Sequence, residues 1–278
     1  MAKPITTRIF TVANQKGGVG KTTSAVNVAA ALAMGGLKTL IIDLDPQGNA
    51  STAFGISRDE VSGMYEVIIK DLPMQSAALK IPGYPSLEVI PATQSLANAE
   101  VELVPMVARE MRLKKSLNNY LLDAANKGER FDYVIIDCPP SLGLLTINAL
   151  VAAQELLIPI QCEYYSLEGL TLLLHTVSLI QEHLNPNIKL TTILLTMFDG
   201  RTRLANDVAA EVRKHYNAEL IDIPIPRAVR ISEAPSYGQT VMTYDPASIG
   251  AEAYGLVARE IARRGAPSSN SNSEKGVG

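Results

Sequence analysis

Residues 9–23 read Ile9-Phe10-Thr11-Val12-Ala13-Asn14-Gln15-Lys16-Gly17-Gly18-Val19-Gly20-Lys21-Thr22-Thr23, an apolar run that breaks into a glycine turn. A helical pattern follows from Lys21 through Ala25, Val28, Ala29 and Leu32. Strand, glycine turn and helix in that order form the context a phosphate-binding loop requires. Gly17, Gly18 and Gly20 permit backbone conformations and close approaches that a side chain would block. The amides of residues 17–23 can then converge on phosphate oxygens, Val19 and Thr23 included, reinforced by the positive end of the following helix. Lys21 is placed to reach the β- and γ-phosphates of a bound nucleotide, and the Thr22 hydroxyl to ligate Mg²⁺. The usual spacing puts glycine where this chain has Gln15, so the loop is a variant. A ligand-free turn is the alternative, and the Gly-Lys-Thr ending with its flanking strand and helix argues against it.

Lys16 has no task in the ordinary loop. It reads either as a solvated surface lysine or as a second cation that neutralises phosphate charge, in its own subunit or across a dimer.

Outward from the loop, apolar β-rich runs alternate with helical periods, the pattern of a parallel sheet with crossover helices. Strands are expected at 8–13, 38–43, 87–91, 132–137, 155–160, 189–196 and 219–223. Helices are expected at 21–35, 94–126 with a break at Pro105, 143–152, 166–184, 203–216 and 247–264. Runs such as Val134-Ile135-Ile136 and Leu156-Leu157-Ile158 lack alternation, as strands covered on both faces do. The fold class is therefore α/β: a single phosphate-loop NTPase domain over residues 1–264, with a mostly parallel twisted sheet and helices on both faces. The last stretch, 265–278, has no apolar period and is expected to be disordered.

Two acidic strand ends complete the nucleotide site. Tyr133-Val134-Ile135-Ile136-Asp137 is an apolar strand ending in a carboxylate, the arrangement that holds Mg²⁺ in phosphate-loop enzymes. The other end is Leu40-Ile41-Ile42-Asp43-Leu44-Asp45-Pro46-Gln47-Gly48-Asn49. Asp43 lies in the strand and is expected in the outer shell of the metal. Asp45 opens a Pro/Gly-containing loop, so it can move with nucleotide state and position the attacking water. Two solvated turn carboxylates are the alternative. His175, His183 and His215 fall in expected helices far from these motifs, so little general-base machinery is visible. Hydrolysis is expected to be slow and to rest on positioning and electrostatics.

Composition sets limits. The chain has 278 residues, is 47% hydrophobic, and carries a net charge of −3. Bulk charge therefore excludes a protein that coats nucleic acid; any such binding needs a local patch. No run approaches the ~18 apolar residues of a membrane span, and the first residues read directly into a strand, leaving no room for a leader. Cys138 and Cys162 make no disulfide framework and suit a reducing cytoplasm. They also lack the spacing of a cluster site and read as small buried hydrophobes.

The variant loop resembles that of the ParA/MinD/nitrogenase-iron-protein group, whose signature lysine crosses a two-fold interface to the partner's nucleotide. Lys16 is the matching residue. The resemblance extends over most of residues 8–262 through Asp-Pro-Gln-Gly-Asn (45–49), Asp-Cys-Pro-Pro-Ser-Leu-Gly (137–143), Pro-Ile-Gln-Cys-Glu-Tyr-Tyr-Ser-Leu-Glu-Gly (159–169), Leu-Thr-Met-Phe-Asp-Gly-Arg-Thr (195–202) and Ile-Pro-Arg-Ala-Val-Arg-Ile-Ser-Glu-Ala-Pro-Ser (225–236). Together these look like the ParA/Soj-type chromosome-partitioning ATPases. The resemblance implies ATP and Mg²⁺ as cofactors, an ATP-dependent homodimer, non-specific DNA binding, and hydrolysis stimulated by a ParB-like centromere-binding partner. It implies a cytoplasmic, nucleoid-associated protein, with Lys16, Lys21 and Asp45 as the catalytic set. Met197, Pro226, Arg227 and Ala228 would flank adenine; residue 228 is commonly asparagine in the family, so a side-chain contact to the base is not carried over.

Arg201, Arg203, Arg227 and Arg230 are the candidate DNA contacts, with Arg213 and Lys214 nearby. Residues 199–230 hold six cations against five acids, so these side chains must gather on one face to bind phosphate. A MinD-like membrane-associating regulator is the alternative on the same core, but residues 265–278 offer no apolar anchor face. A metabolic phosphoryl-transfer enzyme would need an acceptor site, and none is evident.

Overall fold

The computed structural model describes residues 1–59, 61–163 and 166–266, with the side chains of 166–168 left aside. Its strands are β1 (Arg8–Val12), β2 (Thr39–Asp43), β3 (Leu79–Ile81), β4 (Tyr84–Ile90), β5 (Tyr133–Asp137), β6 (Glu155–Gln161), β7 (Lys189–Thr196) and β8 (Leu220–Ile221). They form one sheet in the order β3-β4-β2-β5-β1-β6-β7-β8. Every neighbouring pair is parallel except β3 with β4.

The helices are α1 (Lys21–Met34), α2 (Asn49–Ala53), α3 (Met64–Ile69), α4 (Ala99–Leu103), α5 (Arg112–Asn126), α6 (Leu144–Ala152), α7 (Ser166–His183), α8 (Arg203–His215), α9 (Val229–Glu233), α10 (Val241–Tyr244) and α11 (Ile249–Arg264). Two apolar cores lie on opposite faces of the sheet. One takes buried side chains from α3 through α8, the other from α1, α2 and α9 through α11. The five residues of β2 and of β5 are all buried, which is why their sequences run apolar without alternation. Helix α1 is alanine-rich and buried from Ser24 through Ala33 because α11 packs outside it. A helix enclosed on all sides has no polar face to display.

Chain order explains where the site falls. From β1 the chain crosses through α1 to β2, leaving a gap that β5 later fills, so β1, β2 and β5 end side by side. In open α/β sheets the crevice beyond the carboxyl ends of such strands is where ligands bind.

Three expectations needed correction. The helix expected over 94–126 is interrupted across residues 104–108, not at a single residue, and Ala108 sits in the left-handed region at φ 51°. The strand expected at 219–223 pairs only through Leu220–Ile221. An edge hairpin, β3 to β4, turns at Pro82-Gly83 and brings the strand start forward to Tyr84; Gly83 takes the positive φ of 82° that such a turn demands. Residues 267–278, most of the stretch expected to be disordered, lie outside the described residues, as do Tyr164 and Tyr165 of the 159–169 motif.

Candidate active site

Between β1 and α1 the glycine turn is built as its sequence requires. Gly18 and Gly20 have φ of 73° and 84°, and Gly20 caps α1. A side chain at either would be strained. Two side chains hold the turn from outside. Thr196, at the end of β7, donates its hydroxyl to the Val19 carbonyl at 2.8 Å. Asn14 donates to the Pro159 carbonyl at 2.8 Å and accepts the Lys16 amide at 3.0 Å. Within the described residues the amides of Gly17, Gly18, Val19, Gly20 and Lys21 donate to no protein acceptor. Donors left open at the start of a helix make a concave site for an anion.

The two lysines of the loop part company. Lys21 is buried at 6% exposure, and its ammonium donates to the Lys16 carbonyl at 3.0 Å. Burial holds its pKa below the ordinary lysine value, against the pull of Asp137 and Asp45. Incoming phosphate charge would relieve that penalty. Lys16 turns the other way: its ammonium reaches Glu163 beyond the end of β6 at 2.6 Å, and both side chains stay partly in solvent. Thr22 and Thr23 follow in the first turn of α1.

Across the crevice, Asp43 and Asp137 are register partners on adjacent parallel strands, and Val12 pairs with Asp137 from the other side. Both aspartates are fully buried. Asp43 accepts the Ser51 amide at 2.7 Å and the Ser51 hydroxyl at 2.6 Å. Neither oxygen of Asp137 has a hydrogen-bond partner. Burial, and then the charge of Asp43, push the Asp137 carboxyl well above the usual carboxylate range; the Thr22 hydroxyl acts against this from nearby without reaching hydrogen-bond geometry. Asp43 is pushed up to about 6, mainly by burial. A buried carboxylate with two orphan oxygens, facing a second carboxylate and the Thr22 hydroxyl, fits a hard divalent cation. Among the described residues no three His, Cys, Asp or Glu side chains group as a metal cage.

This has a pH consequence. The unfolded chain releases the Asp43 proton near pH 4, and the native state holds it to about pH 6. The native state therefore binds more protons between those values, and the Asp43 contribution to stability falls as pH rises through them, then levels off. Asp43→Asn removes the penalty. The difference in urea midpoint between Asp43→Asn and wild type, without nucleotide, is expected to grow in favour of the variant from pH 4 to pH 6 and stay flat above. A constant difference across that range would remove the buried-charge cost.

Asp45 begins the loop after β2 and is 7% exposed, so neither it nor Asp43 is a solvated turn carboxylate. Its Oδ1 accepts the Gln47 amide at 2.9 Å, and its carbonyl accepts the Gly48 amide at 2.8 Å.

Met197, Pro226, Arg227 and Ala228 line one cavity of about 210 Å³ together with Gly20 and Thr23. It opens beside the glycine turn and is mostly apolar, as a flat heterocycle requires. Met197 has φ of 49°, an uncommon conformation for its residue type.

Of the candidate arginines all but Arg227 are paired with acids. Arg201 pairs with Asp199 at 2.7 Å, Arg203 with Asp207 at 3.6 Å, and Arg213 with Asp222 at 2.6 Å. Arg230 lies between Glu233 at 3.2 Å and Asp245 at 3.5 Å, over the ring of Tyr244. Arg227 has no carboxylate within ion-pair distance among the described residues. Exposed pairs of this kind are weak because solvent screens them, so a phosphate can replace the acid at little cost.

Three positions escaped the sequence reading: Glu163, Ser51 and Asn14. Ser51 and Glu163 are partners of motif residues brought close by the fold, and Asn14 braces its own loop against β6; Asn14 and Glu163 lie inside quoted segments, but nothing local gives either its partner. Cys138 and Cys162 are buried free thiols. Burial raises both, Cys162 to about 11, so neither is a ready thiolate. The histidines belong to α7 and α8, where His215 pairs with Glu211 at 2.7 Å, far from this chemistry in the chain.

A glycine turn with an open amide nest, a buried lysine and two strand-end aspartates define a phosphate-loop nucleoside-triphosphatase fold. The family model described as an AAA domain matches residues 7–190. Over 94% of its length the chain is 48% identical to the chromosome partitioning protein ParA of Myxococcus xanthus, covering 90% of that protein. It is 49% identical over 93% of its length to the sporulation initiation inhibitor protein Soj of Bacillus subtilis, covering 99% of it. The chain belongs to the ParA/Soj family of chromosome-partitioning ATPases. Among solved structures, one titled cobyrinic acid a,c-diamide synthase from Mycobacterium smegmatis with bound ADP and magnesium has a TM-score of 0.78 and 37% identity over 93% of this chain and 95% of that one. The septum site-determining protein MinD of Pyrococcus horikoshii has a TM-score of 0.70 at 23% identity over 92% of this chain and 96% of that one, which speaks for the fold alone. Among the described residues no helix is long and apolar enough to cross a membrane.

Proposed function

We propose that this chain is an ATP-driven partition switch. ATP binds with its adenine in the cavity beside Met197 and residues 226–228 and its phosphates in the amide nest of residues 17–23. Lys21 turns onto the β- and γ-phosphates, while Thr22, Asp43 and Asp137 hold Mg²⁺. Bound there, Mg²⁺ supplies charge neutralisation to the phosphates. Asp45 orients a water in line with the γ-phosphorus. The new oxygen–phosphorus bond forms as the bond to the β–γ bridging oxygen breaks, the water's proton passes to an oxygen of the transferred phosphoryl group, and ADP and phosphate leave. No covalent intermediate and no histidine take part.

The observation that carries this reading is the division of labour between the lysines: Lys21 is buried in the loop, and Lys16 projects out of it to the partly exposed Glu163. A cation at the mouth of the site is positioned for a second subunit, which makes ATP the link between nucleotide state and pairing. Two ATP-bound copies bring two sets of arginines together. Weak phosphate contacts then add up, and DNA is held without sequence preference on the nucleoid. A ParB-like centromere-binding partner stimulates the slow hydrolysis that releases the pair. The similarity to the synthase extends to the fold, yet the partitioning relatives share more of this sequence, 48–49% against 37%.

Co-sedimentation with DNA and with liposomes, in ATP, ADP or no nucleotide over a salt series, tests the reading. ATP-dependent, salt-sensitive binding to DNA of any sequence supports it; liposome binding without DNA binding would replace it with the MinD-like alternative. Arg230→Ala is expected to keep ATP-dependent pairing, weaken DNA binding about 10-fold, and lower the salt slope by about one for each phosphate no longer neutralised. An unchanged slope would take Arg230 out of the DNA surface.

A further inference from the structure

Arg58 lies in the link between α2 and α3, a stretch without apolar period or motif, and its guanidinium is spent on backbone carbonyls. Its Nε donates to the Ala92 carbonyl at 2.9 Å and one terminal nitrogen to the Gln47 carbonyl at 2.7 Å. The other terminal nitrogen donates to the carbonyls of Pro46 and Thr93. Among the described residues no carboxylate pairs with it. Gly48 makes the approach possible: it has φ of 66°, and a Cβ there would lie 2.2 Å from Arg58 Nε.

The carbonyls fall into two pairs. Pro46 and Gln47 immediately follow Asp45 in the loop expected to move with nucleotide state. Ala92 and Thr93 follow β4 and belong to a fixed platform: the Pro91 carbonyl accepts the Met64 amide at 2.8 Å, and the Ala92 amide donates to the Ser51 hydroxyl at 3.0 Å. Ser51 in turn holds Asp43. One rigid fork therefore spans from the carboxyl end of β4 to the two peptides that follow Asp45, the first of which donates to its side chain. A planar guanidinium with five donors can bridge four acceptors at once, which an ammonium cannot.

We infer that Arg58 is a positioning residue for hydrolysis, acting through Asp45 by clamping the 46–47 peptides to the 92–93 peptides. The inference rests on the proposed role of Asp45 in orienting water. Misplacing a reacting group by about 1 Å costs up to about 10²-fold in rate. Loss of the clamp loosens Asp45 without removing it, so Arg58→Met, which keeps most of the aliphatic stem, is expected to lower kcat about 10-fold while leaving the ATP dissociation constant within about twofold. Arg58→Lys should recover part of the rate.

The deciding measurement is the double variant. A residue that acts through Asp45 adds nothing once Asp45 is gone, so Asp45→Ala/Arg58→Met should turn over no more slowly than Asp45→Ala. Amide exchange at Gln47 and Gly48 should quicken in Arg58→Met with ATP bound. Additive losses, or a wild-type kcat in Arg58→Met with only a lowered melting temperature, would reduce Arg58 to a structural role. Wild-type turnover in Asp45→Ala would sink the reading of Asp45 and this inference with it; slow Asp45→Ala beside normal Arg58→Met would sink the inference alone.

Discussion

Asp45→Ala is expected to bind ATP and Mg²⁺ as tightly as wild type and to hydrolyse about 100-fold more slowly. The loss follows from what remains. In the proposed site Lys21 still neutralises phosphate charge and Thr22, Asp43 and Asp137 still hold Mg²⁺, so ground-state binding should be untouched and only the orientation of the water lost. The Asp45 carboxylate accepts an amide of its own loop and lies within the electrostatic reach of Lys21 without pairing to it. Only that amide has to be released for the carboxylate to turn onto a water. The variant should therefore collect as the ATP-bound pair and stay on DNA. Single-turnover phosphate release gives the rate, and sedimentation velocity with ATP gives the pairing. A variant that binds ATP normally but turns over at the wild-type rate would remove Asp45 from the chemistry; one that no longer pairs would make it a structural residue of the loop.

The site was legible to the degree that its residues follow one another. Asp43 and Asp137 are read from apolar runs ending in a carboxylate, and the sheet then makes them register partners, because β5 inserts between β2 and β1. No single run records that insertion. The cavity proposed for adenine shows the same limit from the other side. Met197 and residues 226–228 entered by resemblance, and the bridge between Phe198 and Pro226 brings them together. Arg58 and Ser51 left no trace in sequence, and Glu163, though inside the 159–169 segment, gave no sign of its partner, since each matters through a contact with a distant segment and none through a local pattern. The arginines entered as a set, and all of the candidates but Arg227 have acidic partners among the described residues. Acids within a few residues of Arg201, Arg203 and Arg230 were visible in the chain, but which acid each would choose depends on how the loop before α8, α8 itself and α9 are built. The edge hairpin was missed because β3 is short, and its Pro82-Gly83 turn is a stronger signal than either strand beside it.

Lys16→Ala should leave ATP binding within a few-fold of wild type and lose about 10³-fold in turnover, the scale on which a cation supplied across an interface acts on phosphoryl transfer. Both halves of that expectation come from geometry. The backbone of Lys16 is fixed, its amide on Asn14 and its carbonyl under the Lys21 ammonium, so truncating the side chain leaves the amide nest intact. The side chain is held only by Glu163, in a pair with 36% and 47% of the two side chains exposed. Such a contact is worth about 0.2–1 kcal/mol after solvent screening, too little to keep Lys16 from a desolvated phosphate. Whether the lysine serves its own nucleotide or the partner's is decided by mixing. In a pair formed from Lys16→Ala and Asp45→Ala subunits, the first keeps its own Asp45, and the second keeps Lys16. If Lys16 acts across the interface, the Lys16→Ala subunit receives the missing cation from its partner and one working site appears per mixed pair. If it acts within its own subunit, every site lacks one residue and the mixture stays inert. Phosphate release from the mixture, compared with each variant alone, separates the two, and only recovery of activity is compatible with a lysine that reports nucleotide state to a second copy of the chain.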